Sequence, residues 1–134
     1  SKIAIKTANK NKKLLGCKNV EFFNHDIFMY NQRKVDLILC NPPYLANHEI
    51  QNLEQSIKQN EPMSALTDFK NGISFYKYLI SNFNNLIKTN GIMLLEIPFS
   101  SVTKDIISIN ENFNSNKSVL YKDLEGKNRV IKIY

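Results

Sequence analysis

An α/β layer structure, built on a mainly parallel sheet with one antiparallel strand pair at its edge, is the fold class that these 134 residues predict. Three observations carry it. The apolar runs at 35–40 and 92–97 each read as a buried strand, and proline stops both, at Pro42 and Pro43 and at Pro98. Between them Ile73, Tyr76, Leu79, Ile80, Phe83, Leu86 and Ile87 recur at three-to-four spacing, the stripe of an amphipathic helix that Asn90-Gly91 ends. The apolar runs 119–121 and 130–134 read as a strand pair joined through 123–128.

The remaining elements follow in chain order. Residues 1–15 place Ile3, Ala4, Thr7, Ala8 and Leu14 roughly on one helical face, with Gly16 as the residue that ends the helix. Residues 19–24 alternate well enough for a short strand, which leaves Asp26 and Ile27 at its carboxyl end. A polar turn at 31–34 leads into the strand at 35–40. The segment 46–60 is polar, with a weak helical pattern at Ile50, Leu53 and Ile57, and suits a lid or a source of substrate contacts. Ser100 or Ser101 caps a helix running to about Phe113, with Val102, Ile106, Ile109 and Phe113 inward.

Composition narrows the function. A hydrophobic content of 43% is enough for one core, and the whole of 1–134 reads as one domain. No apolar run approaches the roughly 20 residues of a membrane span, and no signal peptide opens the chain, so a cytoplasmic setting is expected, or an organellar matrix in a eukaryote. Cys17 and Cys40 lack metal-ligand spacing and read as reduced thiols. The net charge of +6 invites a nucleic-acid partner, but the lysines are scattered singly except around Lys10, Lys12 and Lys13, which suits a solvated helix end. His25 and His48 have no partner at triad or ligand spacing and read as bystanders.

Chemistry concentrates at Asn41-Pro42-Pro43-Tyr44. Two prolines after a buried strand force the chain out of the sheet in a stiff, extended turn. Asn41 is thereby presented at a strand's carboxyl end, where open α/β sheets bind ligands. A planar –NH2 group held between the Asn41 side-chain oxygen and the Pro42 carbonyl has its lone pair oriented, and the pyramidal nitrogen of an alkyl-transfer transition state is favoured. Tyr44 can stack on the flat amide or base. A tight turn with no chemistry is the alternative. Asp26 likewise has two readings: it accepts a hydrogen bond from an adenine amino group that Ile27 and Phe28 cover, or it caps a turn in solvent.

The tetrapeptide resembles the signature of amino-group methyltransferases. Joined by Glu61-Pro62, Ala65-Leu66, Asn71-Gly72, Leu95-Glu96-Ile97 and the ending from Asp123 to Val130, it resembles the release-factor glutamine methyltransferases, the HemK/PrmC family, in order and spacing. The resemblance implies a Rossmann-like class I methyltransferase sheet of order 3-2-1-4-5-7-6 that uses S-adenosylmethionine. It implies methylation of the glutamine amide in the Gly-Gly-Gln motif of peptide chain release factors. By position, Asn41, Pro42, Pro43 and Tyr44 would hold the target glutamine, with Asn41, Pro42 and Tyr44 serving the transfer itself. Asn41 would also lie near the methionine end of the cofactor, and Asp26 and Ile27 would meet its adenine. Glu61-Pro62 would buttress the substrate loop. Pro98, Phe99, Ser100 and Ser101 stand where the family usually has Gly and, shortly on, Gln.

The family's glycine-rich first motif and its ribose-binding acid are expected upstream of Ser1, which makes residues 1–134 a partial S-adenosylmethionine-dependent methyltransferase domain. Its first two strands would be missing, and the strands at 19–24 and 35–40 would be left without the neighbours between them. An N6-adenine DNA or RNA methyltransferase, or a non-catalytic remnant of either enzyme, are the alternative functions.

Overall fold

The computed structural model describes residues 1–31, 33–100, 102–113 and 117–134, and the chain divides into two units, Ser1–Gln32 and Arg33–Tyr134. In the first, α1 (Lys2–Leu14) starts at Ser1, whose hydroxyl accepts the Ala4 N–H. It stops at Gly16, whose φ of +64° suits glycine. The Gly16 N–H donates to Lys13 O at 3.3 Å and the Cys17 N–H to Lys12 O at 3.1 Å, which satisfies two carbonyls that the helix end would leave open. Lys12 and Lys13 in the last turn complement the negative end of the helix dipole.

The strand expected at 19–24 does not form. Alternation selects which face a strand would bury, but a strand exists only when a neighbour takes up its N–H and C=O groups, and among the described residues this segment pairs with none. After it, Asp26 caps a single 3-10 turn, Ile27–Met29. The polar turn expected at 31–34 includes Gln32, which lies outside the described residues.

The second unit is built on four strands: β1 (Val35–Cys40), β2 (Ile87–Glu96), β3 (Ser118–Lys122) and β4 (Asn128–Ile133), in the order β1-β2-β4-β3. β1 and β2 are parallel, whereas β4 runs antiparallel to both β2 and β3. This order is the 4-5-7-6 portion of the sheet that the family resemblance implies. Between β1 and β2 lie α2 (Asn47–Ile50), α3 (Gln55–Asn60), α4 (Met63–Leu66), α5 (Ser74–Ser81) and α6 (Phe83–Leu86), and α7 (Val102–Phe113) follows β2.

The core lies on one face of the sheet. Met93, Leu95, Ile131 and Ile133 are buried there together with Tyr76, Leu79 and Ile80 of α5 and Val102 and Ile106 of α7. The register sets the half-buried Ile38 and Cys40 beside Met93 and Leu95, but no residue of β1 is buried, so the buried strand expected at 35–40 is instead an end strand of this sheet, with a neighbour on one side only among the described residues. On the other face Leu37 and Leu39 are 46% and 68% exposed.

Two expectations need correction. The helix from Ile73 breaks at Asn82, whose side-chain amide donates to Tyr78 O at 2.9 Å, and β2 begins at Ile87 rather than at Ile92. Asn90-Gly91 is therefore no helix end. The β1–β2 register jumps from Val35–Ile87 to Leu37–Ile92 around it, and Asn90 takes a φ of +67°, so the pair marks an irregularity within the strand. A Cβ on Gly91 would lie 2.7 Å from Asp36 O, which is why the strands can close up only on glycine.

In α7 the inward positions are Val102, Ile106 and Asn110, spaced by four, while Phe113 at the terminus is 53% exposed. The Asn110 side-chain nitrogen donates to Ser118 Oγ at 3.1 Å, while among the described residues its Oδ1 is buried without a partner. Of the two capping candidates, Ser100 accepts the Thr103 N–H through its carbonyl at 3.2 Å, and Ser101 lies outside the described residues. Pro98 is buried and accepts from the Thr103 hydroxyl, so the segment that departs from the family's pattern is still well anchored.

Candidate active site at the end of strand β1

The chain leaves β1 at Cys40 and turns outward through Asn41-Pro42-Pro43-Tyr44. Pro42 is buried, Pro43 and Tyr44 are half-buried, and Asn41 is exposed at the rim. This is what two prolines dictate: neither ring can bond a neighbouring strand, so both pack as apolar wall while the asparagine before them stays free to meet a ligand. Burial pushes the half-buried Cys40 thiol up, so it stays protonated behind the turn.

Residues 41–45 line one side of a cavity of about 300 Å³. Leu53, Ile57 of α3, and Ala65 and Leu66 of α4 line the other. The segment 46–60, expected to supply a lid or substrate contacts, contributes apolar wall through Leu53 and Ile57. Glu61-Pro62 leads into α4. Pro62 starts α4, its carbonyl accepting the Ala65 N–H at 2.8 Å, and the link to the turn comes from Leu66, whose carbonyl takes the Leu45 N–H at 2.9 Å.

Behind Tyr44 lies a loop gathered by Asp68, of which the sequence reading singles out only Asn71-Gly72. One oxygen of Asp68 accepts the N–H groups of Lys70 and Gly72, both at 2.9 Å, and the other accepts that of Ser74 at 3.0 Å. Partial burial disfavours the charge of Asp68, but these donors outweigh it and hold the carboxyl below the usual carboxylate range. The loop so gathered offers Lys70 O to the Asn47 N–H at 3.0 Å and Phe69 O to the Asn47 side chain at 2.7 Å. Gly72, at a φ of +80°, lies so close to the turn that a Cβ there would sit 2.1 Å from Tyr44 O.

Tyr76, from sequence one position in the stripe of an amphipathic helix, also reaches the strand ends. It is fully buried, yet its hydroxyl donates to Glu96 O at 2.7 Å at the carboxyl end of β2. Burial pushes this hydroxyl well up, and the charges of Cys40, Tyr44 and Glu96 act in the same direction. A stripe of 3.6-residue period reveals that Tyr76 faces inward but not that its oxygen finds a strand-end carbonyl. Arg129 donates to Asp123 Oδ2 at 2.9 Å, which raises its own pKa and, with the N–H groups of Lys127 and Glu125, lowers that of Asp123. Tyr44 and Glu96 also raise the pKa of Arg129.

The remaining candidates, Asp26 and Ile27, lie in the first unit. Asp26 is exposed, and its Oδ1 accepts the Phe28 N–H at 3.0 Å, the turn-capping geometry considered from sequence. Ile27 is half-buried and Phe28 is 41% exposed. His25 meets Met29 O at 3.3 Å, and His48 is exposed on α2.

Against known proteins, a family model described as the methyltransferase small domain matches residues 1–66. The release factor glutamine methyltransferase of Fusobacterium nucleatum is 35% identical over 96% of this chain and 36% of its own length. Those of Bacillus subtilis and Thermodesulfovibrio yellowstonii are 32% and 34% identical over 98% of this chain, and over 46% and 47% of their own lengths. The chain thus spans less than half the length of these curated relatives. By sequence the chain is a relative of the release factor glutamine methyltransferases.

Proposed function

We propose that this chain carries the substrate-holding part of an S-adenosylmethionine-dependent methyltransferase whose acceptor is the glutamine amide of the Gly-Gly-Gln motif of a peptide chain release factor. The observation that carries the reading is the cavity at the end of β1, with an exposed asparagine at its rim and two proline rings in its wall. The names of the relatives supply the acceptor.

An amide nitrogen is a poor nucleophile because its lone pair is delocalised into the carbonyl. The Asn41 side-chain oxygen and the Pro42 carbonyl are acceptors on one stiff turn, and each would take one N–H of the glutamine amide. That pairing aims the nitrogen and favours its pyramidal form as the bond to carbon develops. Pro43 and Tyr44 present flat apolar surface to the amide plane. The site contributes positioning and hydrogen-bond acceptors, and no strong base is needed at the moment of attack.

The cofactor supplies an electrophilic methyl group on a sulfonium. Asp26 and Ile27 fit its adenine: the Phe28 N–H uses only one lone pair of the carboxylate, which leaves acceptors for an exocyclic amino group, with Ile27 as apolar cover. Asn41 would face its methionine end. The setting of such a reaction is the compartment of translation termination, the cytoplasm in a bacterium.

Methyl transfer from radiolabelled S-adenosylmethionine to a purified release factor tests the proposal, with the modified residue located by mass spectrometry. Label on the glutamine of Gly-Gly-Gln that disappears in Asn41→Ala is the expected result. Label on DNA or RNA adenine with the release factor untouched would overturn it in favour of the nucleic-acid enzyme.

A further inference from the structure

We propose that Asp68 is a positioning residue for the Asn41–Tyr44 turn. This rests on the function proposed above for that turn, but the geometry that suggests it stands apart from any relative. The hydrogen bonds of the Asp68 carboxylate go to the backbone N–H groups of Lys70, Gly72 and Ser74 and to the Ser74 side chain, none of which lines the cavity.

What those bonds accomplish is indirect. A seven-residue stretch such as 68–74 has many conformations in water, and one carboxylate collecting three of its N–H groups selects one of them. In that conformation two surfaces are aimed at the chain leaving the candidate site. Gly72 is pressed on the Tyr44 carbonyl, where even a methyl group would not fit, and Lys70 O and Phe69 O hold Asn47 by backbone and side chain. With Leu45 tied to Leu66, the chain is fixed on consecutive residues from 44 to 47. The two prolines stiffen the turn internally, Pro43 holding the ψ of Pro42 extended, but they do not fix where it points, because no ring restricts ψ at Pro43. The clasp sets that direction.

The chemistry makes direction matter. Two acceptors that must meet two N–H bonds of one planar amide tolerate little displacement, and a shift of about 1 Å can cost on the order of a hundredfold in rate. The clasp therefore acts first on kcat for methyl transfer, and on KM for S-adenosylmethionine only as far as Asn41 moves at the cofactor's methionine end.

The test uses Asp68→Ala, which removes all of these acceptor contacts, and Asp68→Asn, whose remaining oxygen can still accept from Lys70 and Gly72 while its amino group faces the Ser74 N–H. Amide hydrogen exchange is read at Leu45 and Asn47 in the turn and at Ile97, whose N–H donates to Arg129 O at 2.8 Å in the core. Expected in Asp68→Ala is exchange at Leu45 and Asn47 faster by about tenfold or more, with Ile97 unchanged and Asp68→Asn in between. Unchanged protection at Leu45 and Asn47, or equal acceleration at Ile97, would overturn the proposal. In the methyl-transfer assay kcat should fall about tenfold or more in Asp68→Ala, with a smaller rise in KM for S-adenosylmethionine; an unchanged kcat, or a rise in KM larger than the fall in kcat, would also overturn it. If the unaltered protein transfers no methyl group to a release factor, the functional reading fails by that result alone, and the exchange data still decide whether Asp68 positions the turn.

Discussion

Gly72→Ala is the sharpest perturbation of the candidate site, because its cost follows from two independent features of one residue. The first is backbone: at a φ of +80° an alanine sits in the left-handed region, which costs roughly 1 kcal/mol for a residue with a Cβ. The second is space. The added Cβ would lie 2.1 Å from Tyr44 O and 2.9 Å from Tyr44 C, both backbone atoms that cannot rotate aside. Either the loop or the turn must retreat by about 1 Å, and overpacking of this kind costs roughly 1–3 kcal/mol. A destabilisation of about 2–4 kcal/mol follows, to be measured as the change in urea midpoint at constant slope. Methyl transfer should fall further than stability does at a temperature where the variant is folded, since the retreat displaces the residue next to the acceptor pair. A destabilisation under about 0.5 kcal/mol with full activity would refute the reasoning, because it would mean that Gly72 and Tyr44 do not meet.

Four further outcomes are expected. Asn41→Ala should reduce methyl transfer by about a hundredfold or more, with the urea midpoint almost unmoved because Asn41 is exposed. Tyr76→Phe should cost about 1–2 kcal/mol, since it leaves Glu96 O without its buried donor, and thermal unfolding reads the loss. Ile131→Ala, in a strand core at 1% exposure, should cost about 2–5 kcal/mol and lower the unfolding midpoint cooperatively. The last concerns pH. The carboxyl of Asp123 is held below its unfolded value by the Lys127 N–H first and the Arg129 side chain next, so its contribution is complete above about pH 4 and lost as pH falls through the folded value. Protection of the Glu125 and Lys127 amides, their exchange measured against the intrinsic rate at each pH, should therefore fall on acidification, and Asp123→Ala should abolish that dependence.

How much of this could be read from the chain differs from element to element. α1, β1, α7 and the β3–β4 hairpin follow from local signals: periodicity, a glycine at a helix end, prolines after an apolar run. The order of the sheet was available only through the resemblance, because alternation does not name a neighbour. Residues 19–24 illustrate the limit. Their pattern suits a strand, but a ladder needs a second chain segment, and none of the described residues provides it. Asn90-Gly91 illustrates another: helix end and strand irregularity both use a residue at positive φ, and only the register against β1 decides between them.

The candidate site divides in the same way. The residue types and their order at 41–44 determine that an asparagine is offered at a strand's end on a stiff turn, since proline's missing N–H and fixed φ act without regard to distant contacts. Where that turn points, what closes the cavity around it, and that Asp68, Gly72 and Tyr76 stand behind it were decided only by tertiary structure. The reason is physical: hydrogen bonds and close approaches between segments twenty or more residues apart depend on how the sheet and helices pack, and no local propensity encodes them.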